Sequence, residues 1–599
     1  MDIKQKKRHE IPAQYQWDLT HIYPTDADWH QAAKTVKADI EALQAFEGKL
    51  TTGQAIFACL EKSHAVMEVV QRIYAYAYLK KSEDANISAY QAMADTAEGL
   101  DTDYEEAAAF IDPEILTHSE TAIRNFIQTT PGLESYAHYL HNLMREKEHV
   151  LSAEMEALLA AAGEMANSPE NTYSMLCEAD LKFGNITDED GHTVEVTDSR
   201  YSALLRSPNR RVRKEAFETF WASFTALKNT FATLLGGSVK KDMFFAEARK
   251  YSSTLDASLS ENNIPRAVYE QLIEAVHEFL PVVHQYMALR KKALGLDAMH
   301  IYDKVAPLAK DVDIKIPYEN AKKMITEGLA PLGKDYLDTM ANSMDAGWID
   351  VYENEGKTNG GYEYPVYGVH PYVLLNHEDT LTDMFTLAHE MGHAMHSFYT
   401  MGTQPLAYAY APTFTAEVAS TVNEALMMQY MLQTTTDPDT RLYLTDEFIQ
   451  QFLSTVFRQT MFAEFEMIIH GMAEDDEPIV LETLNKVYRE LNVKYYGPGV
   501  VIDEILDIEW AWIVHFYSAF YVYQYATGYA AALAFTKRLQ SGNAAALEDY
   551  LGFLKAGDSD YPIEILKKAG VDMSTRQPVR DALEVFAGLV NELEKLLDL

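Results

Sequence analysis

Residues 385–400 read FTLAHEMGHAMHSFYT, and within them His389, Glu390 and His393 combine two imidazoles with one carboxylate. On an α-helix, positions i and i+4 lie on one face a turn apart, so His389 and His393 can aim their rings at a common point. Glu390, beside the first histidine, is placed to act on a metal-bound water rather than to ligate the metal. That is the physical content of an H-E-x-x-H helix. A catalytic zinc takes three protein ligands and leaves a fourth position open, so this pattern requires one more ligand elsewhere.

A metzincin would need glycine at position 396 and histidine at 399; the chain has His396 and Tyr399, which excludes that class. His396 is one turn from His393, but a third ligand from the same helix would strain a tetrahedron. It reads instead as a packing residue or as support for a ligand. Downstream, PTFTAEVASTVNEALMMQYML (residues 412–432) predicts a second helix with Pro412 near its start. Glu417 and Glu424 lie two turns apart and share a face. A helix hairpin closed by TMGTQPLAYAYAP would bring Glu417 level with the two histidines. Glu424 would then fall nearer the other end of the first helix, where it can hydrogen-bond a ligand imidazole from outside the metal. The bland alternative is a solvated helix face, and the apolar neighbours Val418, Ala419, Val422, Ala425 and Leu426 weigh against it.

The elements that must position these groups are mostly helical. SAYQAMADTAEGLDTDYEEAAAFI and SAEMEALLAAAGEMA return apolar residues every three or four positions, and Ser152 is a candidate N-cap for the latter. Strand signals are few. LKFGNITDEDGHTVEVT (181–197) predicts a hairpin turning at Asp190-Gly191. WIDVYENEGKTNGGYEYPVYGVHPYVLL (348–375), with Gly360, Gly361, Pro365 and Pro371, predicts a short sheet and a glycine loop just before the histidine helix. No fixed-period repeat is present. The division expected is an N-terminal helical lobe over 1–200 and a catalytic domain over 201–599.

The chain has 599 residues, 48% of them apolar and 23% charged, which suits a soluble protein with a large core. Its formal charge of −40 argues against a nucleic-acid partner, which would need a basic face. Cys59 and Cys177 are its only cysteines, so no disulfide framework exists and the cytoplasm is the expected compartment. WAWIVHFYSAFYVYQYATGYAAALAFT (510–536) carries no acidic or basic side chain and is long enough to cross a bilayer. Its tyrosines are spread through the middle rather than gathered at the ends, so a buried protein interior is expected and no membrane span.

HEMGHAMH followed by FTAEVASTVNEAL resembles the thimet oligopeptidase family of zinc metallopeptidases. WDLTHIYPT, YAYAYLKKSEDANISAY, GGYEYPVYGVHPYVLLN and HFYSAFYVYQYATGYAAALA are similar, more closely, to its oligoendopeptidase F branch, and the likeness runs from about residue 15 to 590. The resemblance implies a mainly α fold: a two-lobed helical ellipsoid with a deep central channel, one zinc on its floor and a small sheet beside the zinc helix. It implies short peptides as substrates, bound as an added strand near HPYVLLN and Gly360-Gly361. His389, His393 and Glu417 would hold the zinc, and Glu390 would assist attack by the zinc-bound water on internal peptide bonds. His515, with Tyr521 or Tyr525, would hydrogen-bond the substrate carbonyl; serine and alanine stand here where thimet-type members have glycines. Two rivals remain: a related zinc dipeptidyl carboxypeptidase, and a peptide-binding protein that retains zinc without catalysis.

Overall fold

The computed structural model describes residues 5–309 and 314–599. Helices dominate, and their starts follow local side-chain chemistry. Thr25, Thr52 and Ser152 each accept a hydrogen bond from a first-turn amide, the last confirming Ser152 as an N-cap. Such caps are worth about 1 kcal/mol each because they satisfy amides that the helix itself leaves unpaired.

The chain divides into two compact units. The first comprises Met1–Lys147, Ile314–Gln429 and Phe535–Val571. Three of its helices, α1 (Asp26–Leu43), α2 (Gly53–Glu83) and α3 (Ser88–Ala108), bury Trp29, Val36, Ile40, Ile73, Ala77 and Leu100 in one core. The Trp29 indole N–H, deep in that core, donates to the Ile73 carbonyl at 2.8 Å. A second cluster gathers Leu50, Ile56, Cys59, Ile123 and Leu140.

The second unit comprises Glu148–Asp313, Tyr430–Ala534 and Asp572–Leu599. Its hairpin pairs β1 (Asn185–Thr187) with β2 (Thr193–Glu195), and Gly191, at φ +87°, makes the expected turn. Two further two-residue strands, β3 (Met299–His300) and β7 (Val500–Val501), run parallel. Phe220, Trp221 and Phe224 form an aromatic core with Tyr201. Residue 200 itself lies within this unit.

The sheet expected before the histidine helix is present in the first unit: β4 (Ile349–Asp350), β5 (Tyr362–Tyr364) and β6 (Tyr372–Leu374), in the order β4-β6-β5. β6 runs parallel to β4 and antiparallel to β5. This corrects one expectation. HPYVLLN contains the central strand, whose hydrogen-bonding groups are engaged on both sides, so it offers no edge to a peptide. The edge strand on the glycine side is β5, which Gly360 (φ +83°) and Gly361 lead into. Tyr362 and Tyr364 turn one face of β5 onto Tyr78 of α2, leaving Glu363 on the opposite face.

The apolar stretch 510–536 is no single helix. It starts inside a 3-10 helix (Glu504–Trp512), passes through a second (Val514–Tyr517) and a turn, and enters the helix Tyr523–Gln540. Among the described residues no helix is long and apolar enough to cross a membrane. Cys59 is buried and Cys177 half-buried, and both are free thiols.

Candidate metal centre

The histidine helix spans Leu381–Met401 in the first unit. Thr380 and Asp383 open it with a capping box: the Thr380 hydroxyl accepts from the Asp383 amide at 3.2 Å, and the Asp383 carboxylate accepts from the Thr380 amide at 2.9 Å. Met384, Leu387, Met391 and Met395 bury its apolar face, so the half-buried His389 and His393 are turned to the other side. The glutamate helix, Thr413–Thr434, follows as the hairpin requires. Its buried Val418, Ala419 and Val422 fix its rotation, and Asn423 donates to the Ala388 carbonyl at 2.9 Å.

This packing brings three donor atoms together. His389 Nε2 and His393 Nε2 are 3.2 Å apart, and one Glu417 carboxylate oxygen lies 3.4 Å from the first and 3.3 Å from the second. A tetrahedral zinc with bonds of about 2.0–2.1 Å has ligand–ligand edges of about 3.3–3.4 Å. The triangle therefore fits such an ion on geometry, and two imidazoles with one carboxylate fit it on ligand chemistry. His389 Nδ1 is hydrogen-bonded to Glu424, which leaves Nε2 for a metal and fixes the ring orientation.

Electrostatics point the same way. Burial opposes the charged form of His389, but the hydrogen bond and charge of Glu424, with Glu390 and Glu417 behind it, raise its pKa to about 9. Burial likewise opposes ionisation of Glu417, yet His393, His389 and the Ser420 hydroxyl hold its pKa down to about 2. The cluster stabilises positive charge at its centre, as a dication site must. His396 is not part of it: its ring packs on Phe553 at 5.0 Å, and burial lowers its pKa to about 3. Glu390 is buried beside the cluster, and that burial raises its pKa against the pull of both histidines.

Two residues missed in the sequence help to shape the site. Gly392 separates the histidine pair, and a Cβ there would stand 2.5 Å from the Ser420 Cα. A lone glycine in a helix between the two histidines was the available signal. Glu363 is the second: burial pushes its carboxyl up to about 7, against His393 and a hydrogen bond from Ser397. Its signal was an acid alternating with tyrosines in a strand. The chain entering β5 also comes close to the general-base candidate, since a Cβ on Gly361 would stand 3.6 Å from a Glu390 carboxylate oxygen.

His515, Tyr521 and Tyr525 lie in the second unit, and the fold gathers all three. The Tyr525 hydroxyl is 3.3 Å from His515 Nε2, the Tyr521 and His515 rings are parallel at 5.8 Å, and Tyr521 meets Tyr525 edge-on at 5.4 Å. Partial burial lowers the His515 pKa, favouring its neutral form. The other tyrosines of the stretch are core: Tyr517 packs on Tyr173, Tyr523 on Tyr269 and Tyr529 on Phe452.

The model of peptidase family M3 matches residues 203–585, and an oligopeptidase F model matches residues 114–183. Oligopeptidase PepF of Bacillus subtilis is 44% identical over 591 residues, covering 98% of this chain and 88% of that protein. An oligoendopeptidase F homolog of Lactococcus lactis is 38% identical, covering 99% of each. The crystal structure of oligoendopeptidase-F from Enterococcus faecium is 36% identical, with a TM-score of 0.74, and covers 96% of this chain and 99% of that one.

Proposed function

From the premise that the chain belongs to peptidase family M3, we propose that it is a zinc-dependent oligoendopeptidase, hydrolysing internal bonds of short peptides in the cytoplasm. His389 and His393, each through Nε2, and Glu417 hold one zinc per chain, while Glu424 keeps the His389 ring in place. Bound there, zinc supplies Lewis acidity, lowering the pKa of a water to roughly 7 and polarising the scissile carbonyl. The remaining work falls to side chains of the protein. Glu390 takes the proton of the attacking water and returns it to the leaving amine; its burial and raised pKa suit a group that must both accept and release a proton. His515 and a tyrosine hydroxyl, from Tyr521 or Tyr525, donate hydrogen bonds to the carbonyl oxygen as it gains charge.

The substrate peptide adds as a strand to the free edge of β5, which would carry it past Glu390. The family-model match, beginning at residue 203, supports a catalytic domain over 201–599 preceded by a helical lobe over 1–200.

The observation that carries this reading is the triangle of donors, 3.2–3.4 Å on a side, with a buried carboxyl next to it. Its test is cleavage of an internally quenched octapeptide blocked at both ends, with o-phenanthroline and with Glu417→Ala. Internal cleavage lost under both treatments is expected. Trimming of a free peptide while the blocked one stays whole would instead indicate an exopeptidase. Bound zinc without cleavage of either would indicate a binding protein.

A further inference from the structure

Beneath the histidine–tyrosine cluster lies a carboxyl that no step of the proposed reaction uses. Glu466, on the helix Arg458–Glu474, is fully buried. One of its oxygens accepts the backbone N–H of Phe520 at 2.9 Å; the other has no hydrogen-bond partner among the described residues. Burial raises the pKa of Glu466 well above that of an ordinary carboxyl.

Phe520 is itself unusual. Its φ of +57° lies in the left-handed region, which a bulky aromatic residue seldom enters without external support. It sits third in the turn Ser518–Tyr521, closed by the Tyr521 N–H on the Ser518 carbonyl at 3.2 Å. Glycine or asparagine is the usual choice where a turn needs positive φ. Here the surroundings impose the conformation. The Phe520 ring is buried against His470 at 4.6 Å and edge-on to Tyr269 at 5.8 Å. His470, one helical turn beyond Glu466, is held between the Glu466 carbonyl (2.9 Å) and Asp242 (3.3 Å). Ser258 donates to the Ala519 carbonyl at 3.2 Å, tying down the residue before Phe520. The residue directly after this pinned one is Tyr521.

We infer that Glu466 is a positioning residue: by gripping the Phe520 amide it holds the left-handed turn that sets Tyr521 against His515 and Tyr525. This rests on the proposed role of the histidine–tyrosine cluster in the reaction. It also accounts for a turn that takes positive φ without glycine: a buried acid replaces backbone freedom with a fixed conformation.

The test uses the full chain loaded with zinc, the blocked octapeptide, and hydrogen exchange of the segment 513–525. Glu466→Leu is expected to speed exchange in that segment and to lower kcat about tenfold, with KM changed by less than about twofold. Glu466→Gln keeps an acceptor for the Phe520 amide and should recover most of the loss. In a Tyr521→Phe background, Glu466→Leu should cost nothing further, which a general loss of stability would not produce. Should Glu466→Leu fail to fold, Phe520→Gly frees the same turn while leaving Glu466 itself in place, and should speed exchange in the same segment. Unchanged exchange in whichever of these variants folds, or a Glu466→Leu loss just as large in the Tyr521→Phe background, would overturn the inference. If Tyr521→Phe cleaves like the parent while Glu466→Leu loosens the segment, the grip of Glu466 on the turn stands and the catalytic reading of Tyr521 falls.

Discussion

Gly392 meets Ser420 backbone to backbone: a Cβ on Gly392 would stand 2.5 Å from the Ser420 Cα and 2.8 Å from the Ala419 carbonyl oxygen. The histidine helix and the glutamate helix therefore touch at the level of their candidate ligands. Any side chain at position 392 acts as a spacer between His389, His393 and Glu417.

Gly392→Ala should accordingly separate the helices by a fraction of an ångström or force the new methyl group into backbone atoms that cannot yield. Overpacking of this kind costs about 1–3 kcal/mol. The metal site should suffer more than the fold, because edges of 3.2–3.4 Å leave little room. At least about a tenfold loss of zinc affinity is expected, read by competition with a chromogenic chelator. Affinity equal to the parent's would show that the helix spacing does not set the site.

Glu424 reaches the candidate metal site through its hydrogen bond with His389 Nδ1. Glu424→Ala should leave the three ligands in place but free the His389 ring to rotate and to take the wrong tautomer. Loss of such a support costs about 10–100-fold in metal affinity. Isothermal titration of the metal-free protein with zinc measures it, and an unchanged dissociation constant would mean that packing alone orients the ring.

How much of this was legible beforehand depended on range. The histidine pair sits within one helix, where the spacing of His389 and His393 dictates a shared face. Glu417 and Glu424 needed one further step, a hairpin whose two helices both announce themselves by apolar periodicity, and the structure brings both carboxylates to the histidines. The short sheet was legible as elements but not as an order. Nothing in VYGVHPYVLLN tells a central strand from an edge, since pairing with β4 and β5 is decided by chain segments on either side of it. Glu363 carries only a weak signal in the sequence and Glu466 none, for a related reason. A single acid in a strand or helix reads as solvated until tertiary packing closes over it, and only coordinates show that Glu466 receives an amide from the distant Phe520.

His370 makes stability depend on pH. Its Nδ1–H donates to the Pro371 carbonyl at 2.8 Å, and its Nε2 shares a hydrogen bond with His21 Nδ1, also at 2.8 Å. Burial, with His21 alongside and despite Asp18 nearby, lowers its pKa to about 4 from 6.5. Between those values the unfolded chain binds a proton that the folded chain refuses, so stability is intact above about pH 6.5 and falls as the pH drops toward 4. At about 1.4 kcal/mol per pH unit, the loss by pH 5 is about 2 kcal/mol. The melting temperature should fall between pH 7.5 and 5.0, and by less in His370→Gln. Equal falls in both proteins would remove His370 as the cause.

Glu390 separates metal binding from chemistry. It stands next to His389 but outside the donor triangle, so Glu390→Gln should bind zinc as the parent does. The amide has nearly the same shape and cannot accept a proton. General-base assistance contributes about 10²–10⁴-fold, and kcat on the blocked octapeptide should fall by that much with KM little altered, because the change touches the transition state rather than substrate binding. Two measurements on one preparation decide it: zinc content by emission spectroscopy and steady-state kinetics. Full zinc with a collapsed kcat assigns the proton transfer to Glu390, whereas full zinc with parental kcat would require another base, and Glu363, half-buried on the face of β5 turned away from Tyr78, would be the first to substitute.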